Sequence, residues 1–208
     1  ESLRFTDIKK QVEIVSIADV PSNCGLGTSS TFTVALLSAL FAYRRNHKTL
    51  TELAECACHI EINLLKEPIG KQDQYAAAFG GFNAYTFHKD GNVTVEPVRI
   101  SEGSMMELQS NIFLFYLNKN RSASAILKVQ NKNTKANNSD TVNRLHKIKE
   151  IGLHTRKIFE KNKIDEFGEL LHEHWIIKKG LSDKISDAFI DEAYETARKN
   201  GAVGGKVI

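Results

Sequence analysis

Between one apolar run, Val12 to Val20 (VEIVSIADV), and a second, Phe32 to Phe41, the chain reads Pro21-Ser22-Asn23-Cys24-Gly25-Leu26-Gly27-Thr28-Ser29-Ser30. That order predicts a strand, a glycine turn and a helix. Glycine removes the side chain where a backbone must come close to a ligand, and it adopts left-handed conformations freely. Thr28, Ser29 and Ser30 put hydroxyls and free backbone N–H groups at the start of the predicted helix. Unpaired N–H groups and the helix dipole favour an anion there. A glycine turn with a Ser/Thr helix cap, and no ligand at all, satisfies the same residues. Both readings stand on this stretch alone. The named phosphate loops do not fit it. A Walker loop needs Gly-Lys-Ser/Thr after four spacer residues, and no such run occurs. The dinucleotide fingerprint needs a third glycine where Ser30 stands, and the first acid after the loop is Glu52.

The helix after the loop, expected over Ser30–Arg45, is apolar nearly all round and is therefore expected to be buried. Thr49-Leu50-Thr51-Glu52 starts a second helix with a Thr cap and an acid in its first turn. It extends to about Lys66 and carries an apolar stripe of Leu50, Leu53, Ala54, Ala57, Ile60 and Leu64. Glu61 comes four residues after Ala57. At about 100° per residue it falls near the centre of that stripe, whereas Glu52 and Glu55 fall on the opposite face. A carboxylate on a buried face must be neutralised, paired or bound to a cation. A buried ion pair, a helix end reaching water and a cation site all remain open.

Gly70 then breaks the chain, and Lys71-Gln72-Asp73-Gln74-Tyr75-Ala76-Ala77-Ala78-Phe79 predicts a short helix closed by Gly80-Gly81. Asp73 falls in its first turn, where the dipole favours an acid. Dipole compensation alone accounts for it, yet Lys71, Gln72, Asp73 and Gln74 form a polar cluster beside very small apolar residues. Phe82–His88 alternates as a strand, Asp90-Gly91 reads as a hairpin turn, and Val93–Ile100 returns. Residues 101–110 read as a connection, Ile112–Leu117 as an apolar strand, Ser122–Val129 as helix and Gln130–Asp140 as a solvated loop. Helices are expected over Val142–Lys161, Asp165–Lys179 and Ser186–Asn200. The last residues, Gly201-Ala202-Val203-Gly204-Gly205-Lys206-Val207-Ile208, begin another glycine-rich turn. An end inside such a segment is odd for a natural C-terminus and reads as a fragment.

The bulk numbers exclude several classes. The 208 residues suffice for one large or two small domains with a real core. A net charge of +3 with scattered basic residues gives no footprint for nucleic acid. No apolar run approaches a bilayer span and no signal peptide is present, so a cytoplasmic setting with no membrane partner is expected. Cys56 and Cys58 lie two apart on a helix, on opposite faces, and with Cys24 are expected to be reduced thiols. His172 and His174 diverge in the same way, so a metal site there is excluded and both read as surface residues.

These residues carry a resemblance. Pro21-x-x-x-Gly25-Leu26-Gly27-Thr28-Ser29-Ser30 resembles the second motif of the GHMP small-molecule kinases. Glu61 followed twelve residues on by Asp73-Gln74 is similar to the acidic pair of the sugar-kinase branch. The stretch Gly70 to Asn83, Arg121-Ser122-Ala123-Ser124 and Gly201-Ala202-x-Gly204-Gly205-Lys206 look like the D-glycero-D-manno-heptose 7-phosphate kinases. The family's N-terminal motif is absent and its third glycine-rich motif is cut off.

The resemblance implies an α/β (α+β) fold of two domains, the first like ribosomal protein S5 domain 2, with boundaries here at 1–105 and 106–208. It implies a cytoplasmic sugar kinase using ATP and Mg2+, with a small sugar phosphate as partner and a homodimer as one admitted assembly. Pro21, Gly25, Leu26, Gly27, Thr28, Ser29 and Ser30 would bind the ATP phosphates, and Ser29 and Glu61 the magnesium. Asp73 would be the general base, and Lys71 would hold it ionised or meet a phosphate, unless it is a surface lysine. Gln74, Arg121 and Gly205 would contact the sugar phosphate. A free hexose as acceptor and an inactive nucleotide-binding module are the alternatives. A dinucleotide-dependent oxidoreductase is disfavoured by Ser30.

Overall fold

In the computed structural model residues 1–9, 12–20, 24–117, 134 and 138–208 are described. Contacts divide the chain into two units that change over between Val95 and Glu96.

The first unit opens with a short helix α1, Ser2–Phe5, followed after the glycine turn by α2, Thr28–Tyr43. Helix α3, Leu50–Cys58, begins as the sequence predicts. Glu52 N–H donates to Thr49 Oγ1 at 3.2 Å, and Thr49 N–H donates to Glu52 Oε2 at 2.8 Å. That reciprocal box satisfies two of the N–H groups a helix start leaves unpaired. It also holds the Glu52 carboxyl below its ordinary value. The expected single helix to Lys66 does not continue as one. His59–Leu64 forms a π turn, and Leu64, expected in the stripe, is exposed. A π turn packs more residues per turn, so positions after it lose the phase of the α-helix before it. Helix α4, Gln72–Phe79, follows, then a hairpin of β1, Asn83–Phe87, and β2, Val93–Pro97. Gly91, at φ 90°, makes its turn. The core joins Val34, Leu37 and Phe41 of α2 to Leu53, Ala57 and Ile60. A second cluster, Ala54, Cys58 and Tyr75, packs under the hairpin through Tyr85, Val93 and Val95.

Helix α2 departs from the expectation of burial all round. It buries Ser30, Thr33, Val34, Leu37, Leu40 and Phe41, while Phe32 and Tyr43 are exposed. Within the unit α3 and α4 pack against that one buried face. The strand expected over Val12–Val20 is also absent, and Val15 and Ile17 are 76% and 92% exposed. A strand exists only through hydrogen bonds to a neighbour. Among the described residues the sheet consists of the hairpin alone.

In the second unit, where residues 101–110 are expected to be a connection, helix α5 forms over Glu102–Asn111, started by Ser101 whose Oγ accepts from Ser104 N–H at 3.2 Å. Ile112–Leu117 carries no strand and Phe113 to Tyr116 are exposed, again without a partner strand among the described residues. The expected helix 122–129 lies outside the described residues. Helix α6, Ser139–Glu160, starts at Asn138, a short 3-10 turn at Ile164–Glu166 leads into α7, Phe167–Lys179, and α8, Ala188–Lys199, starts at Asp187. Trp175, Leu181, Ile185 and Ile190 form the core. His172 and His174 are not surface residues. Both are half-buried, and His172 Nδ1 lies 2.5 Å from the Tyr194 hydroxyl. Burial, with the charges of Lys206 and Lys178, pushes His174 down to about 4, so it is neutral at pH 7. The three cysteines are free thiols. Among the described residues no helix is long and apolar enough to cross a membrane.

Candidate active site

The glycine turn takes the conformation its residues favour. Gly25 and Gly27 both lie in the left-handed region, at φ 83° and 65°. Gly27 is the N-cap of α2, and no side chain caps that helix. The first helical bond is Thr31 N–H to Gly27 C=O at 2.9 Å. The turn ahead of it, Thr28 to Ser30, therefore points its N–H groups out of the helix end, where an anion is favoured.

Glu61 is 2% exposed and gathers donors from two helices. Ser29 Oγ donates to its Oε1 at 2.9 Å, and Ser30 Oγ to its Oε2 at 2.8 Å. Thr33 Oγ1 reaches Oε1 at 3.3 Å and its own helix at Ser29 C=O at 3.1 Å. Gln74 Nε2 donates to Oε2 at 2.5 Å. Among the described residues no Lys or Arg lies within ion-pair distance, so the buried ion pair weighed from sequence is not found there. The carboxylate is solvated by hydroxyls and an amide. Gln74 is fully buried, and its Oε1 has no hydrogen-bond partner. An orphaned buried acceptor beside a buried carboxylate is a costly arrangement that a cation would relieve.

Asp73 occupies the first turn of α4. A Cβ placed on Gly27 would stand 3.1 Å from Asp73 Cγ, 3.2 Å from its Cβ and 3.3 Å from Oδ2. The acid thus lies directly against the glycine turn. Loss of water on its protein side, and then the charge of Glu61, hold the Asp73 carboxyl above its ordinary value. Lys71, expected beside Asp73, is engaged elsewhere. Its Nζ donates to Glu55 Oε1 and Oε2 at 2.7 and 2.9 Å and to Gly91 C=O at 2.8 Å.

Leu26 is exposed on the turn and Thr28 is half-buried. Pro21 and Arg121 lie outside the described residues. Gly205 belongs to the second unit, where a Cβ would meet the Tyr194 ring at 3.7 Å. The sequence reading missed Thr33, although its spacing of three from Ser30 puts both hydroxyls on one helix face. It also missed Glu55 and Tyr75, whose partners are distant in sequence. Among the described residues no three His, Cys, Asp or Glu side chains could together hold a metal ion.

At Gly27 two demands coincide, a left-handed backbone and open space toward Asp73. Gly27→Ala is expected to cost roughly 1–2 kcal/mol of stability through the backbone alone. It also presses a methyl against the Asp73 carboxyl. Gly70→Ala, where nothing lies within 4 Å, is expected to change neither stability nor activity. Thermal unfolding of the two variants side by side checks this, and equal melting temperatures would contradict it.

Residues 2–81 match the GHMP kinases N terminal domain. Over 202 residues the chain is 31% identical to a D-glycero-alpha-D-manno-heptose 7-phosphate kinase of Campylobacter jejuni, a match covering 97% of this chain and 59% of that protein. It is 24% identical over 182 residues to a bifunctional fucokinase/GDP-fucose pyrophosphorylase of Arabidopsis thaliana, covering 86% of this chain and 17% of that protein. The crystal structure of a D-glycero-D-manno-heptose 1-phosphate kinase from Bacteroides thetaiotaomicron superposes with a TM-score of 0.68 at 32% identity, over 91% of this chain and 51% of that one. The chain thus spans little more than half the length of the heptose kinases it matches. With the domain match, the shared fold and the glycine turn in agreement, residues 2–81 belong to the GHMP kinase N-terminal domain family.

Proposed function

We propose that the chain is part of an ATP-dependent sugar kinase. The reaction transfers the γ-phosphate to the anomeric hydroxyl of D-glycero-D-manno-heptose 7-phosphate and gives the 1,7-bisphosphate. The observation that carries this reading is the placement of Asp73 against Gly27, which puts a carboxylate beside an uncapped helix start. A base next to a phosphate cradle is what phosphoryl transfer to a hydroxyl requires, since positioning and charge neutralisation supply most of its catalysis.

In this reading the N–H groups of the first turn of α2, with the Gly25–Gly27 backbone, hold the ATP phosphates. Asp73 takes the proton of the attacking hydroxyl as its oxygen bonds to the γ-phosphorus and the bond to the bridging oxygen of ADP breaks. A raised carboxyl suits that task, being a stronger proton acceptor than an ordinary one. Ser29 Oγ and Glu61 Oε1, 2.9 Å apart, are hard oxygens suited to magnesium, which commonly takes one or two carboxylates and completes its shell with phosphates and water. Bound there, the ion would neutralise charge on the phosphates. Gln74, fully buried and bonded to Glu61, acts in this reading through that carboxylate, and the setting is cytoplasmic.

The test is ADP release by the full-length protein with ATP and magnesium. D-glycero-D-manno-heptose 7-phosphate is expected to exceed mannose and fucose in kcat/KM by roughly 100-fold, the scale of one charge-paired phosphate contact. Turnover on a free hexose only would retain the kinase and discard the 7-phosphate. ATP binding without turnover on any sugar would favour a nucleotide-binding module.

A further inference from the structure

No proton or phosphoryl step of the proposed reaction uses Lys71, Glu55 or Tyr75, yet the three are tightly joined. Lys71 Nζ donates to both oxygens of Glu55 and to the Gly91 carbonyl of the hairpin turn. The Tyr75 hydroxyl donates to the same Glu55 Oε1 at 2.5 Å. Burial pushes the Glu55 carboxyl up, but the bonds from Lys71 and Tyr75 outweigh it and leave the group below its ordinary value.

The two donors sit at chosen places on α4. Lys71 is its N-cap, and Tyr75, buried and stacked on Phe79, lies one turn further, its N–H bonded to Lys71 C=O at 3.2 Å. One carboxylate of α3 therefore holds two successive turns of α4. Between those two anchors lie Asp73 and Gln74. Ala76, Ala77 and Ala78 occupy the next turn, where Ala77 and Ala78 pack on the core through methyl groups alone. Rotation about that axis decides whether Asp73 meets Gly27 and Gln74 meets Glu61.

We propose that Glu55, Lys71 and Tyr75 form a positioning cluster that fixes the start and rotation of α4, so that Asp73 is held over the glycine turn. The inference rests on Asp73 being the general base. An ion pair as open as Lys71–Glu55, with side chains 28% and 42% exposed, adds little to stability. A misplacement of about 1 Å at a reacting group can cost about 100-fold in rate. The cluster should therefore matter far more to turnover than to folding.

Lys71→Met, Glu55→Gln and Tyr75→Phe in the full-length protein test it, with Lys71→Arg as the conservative variant and Asp73→Asn as the control on the base. The first readout is kcat, expected to fall about 10- to 100-fold in the three variants with KM for ATP held within about threefold, and to recover in Lys71→Arg. The second needs no substrate: titration of the Asp73 carboxyl by carbon NMR. Of the charged groups on the packed elements, Glu61 of the π turn acts on the carboxyl, while Lys71 and Glu55 of α3 are paired with each other; α2 carries no charged side chain, and the hairpin reaches the cluster through the Gly91 carbonyl.

Removing the Lys71 cation electrostatically would raise the Asp73 titration. Releasing the helix would take the Asp73 carboxyl away from the glycine turn and from Glu61 and lower it. A downward shift in Lys71→Met and Tyr75→Phe supports the cluster. An unchanged or raised titration with unchanged kcat overturns it, whatever Asp73→Asn shows. Full turnover in Asp73→Asn removes the base reading on its own, leaving the titration to report whether the cluster holds α4. Tyr75→Phe keeps the ion pair and the buried ring, so it carries the test if Lys71→Met does not fold.

Discussion

Replacing Asp73 by asparagine in the full-length protein is expected to lower kcat by about 10²- to 10⁴-fold, the range general base catalysis contributes. The variant keeps the size of the side chain, its place in the first turn of α4 and its fit against Gly27, and loses only the proton acceptor. Stability is expected to move the other way. The native surroundings hold the Asp73 carboxyl above its ordinary value, first by desolvation and then through Glu61. The fold therefore disfavours the charged form. That penalty is absent below the unfolded carboxylate range, about pH 4. It grows as pH rises from there through the folded value and is fully present above it. Asp73→Asn should thus unfold no lower than wild type at pH 7, with any gain vanishing toward pH 4. In wild type the acid limb of kcat should lie above the ordinary aspartate range and disappear in the variant's residual rate. A pH–rate profile with paired calorimetry checks both halves. Loss of activity together with a large loss of stability would assign Asp73 to the fold instead.

Glu61→Gln is the second large expectation. It should lower magnesium-dependent turnover by at least about 100-fold, because magnesium selects charged oxygen ligands and the variant offers a neutral amide. The fold should survive. Hydroxyls of Ser29, Ser30 and Thr33 can turn to match a new partner, and Gln74 already has an unpartnered oxygen able to accept from the new amide. Glu61→Leu removes that option. It strands the buried Ser30, Thr33 and Gln74 donors, and a net loss of about 2–4 kcal/mol is expected. Metal titration of the nucleotide complex by calorimetry, with unfolding temperatures of all three proteins, separates the two effects. An unchanged magnesium dependence in Glu61→Gln would remove Glu61 from the metal site.

Local signals in the sequence were sufficient where local physics decides the structure. The Thr49–Glu52 capping box, the hairpin at Asp90-Gly91, helix α4 and the inward face of Glu61 all follow from short-range pattern. Helix α5 has weakly periodic apolar residues and is hard to tell from a connection, although Ser101 and Glu102 form a usable start signal. The strand-like runs 12–20 and 112–117 show the limit of pattern: alternation describes a preference, while a strand requires a neighbour, and none is present among the described residues. The π turn at His59–Leu64 was not legible, since nothing in HIEINL departs from an ordinary helical composition. At the site, the residue types were readable but the partners were not. Lys71 has acids at several distances along the chain, and only the packing of α3 on α4 selects Glu55, sixteen residues earlier, over Asp73 two residues later.

The donors around Glu61 have a property beyond their number. Ser29, Ser30 and Thr33 present rotors: each hydroxyl can donate in one orientation and offer a lone pair in another, by turning a single bond. The cage can therefore exchange its sense, from solvating an anion to helping to surround a cation, without moving the backbone of α2. Turning a hydroxyl is a motion of hydrogen atoms alone, on the fastest scale available to a folded chain.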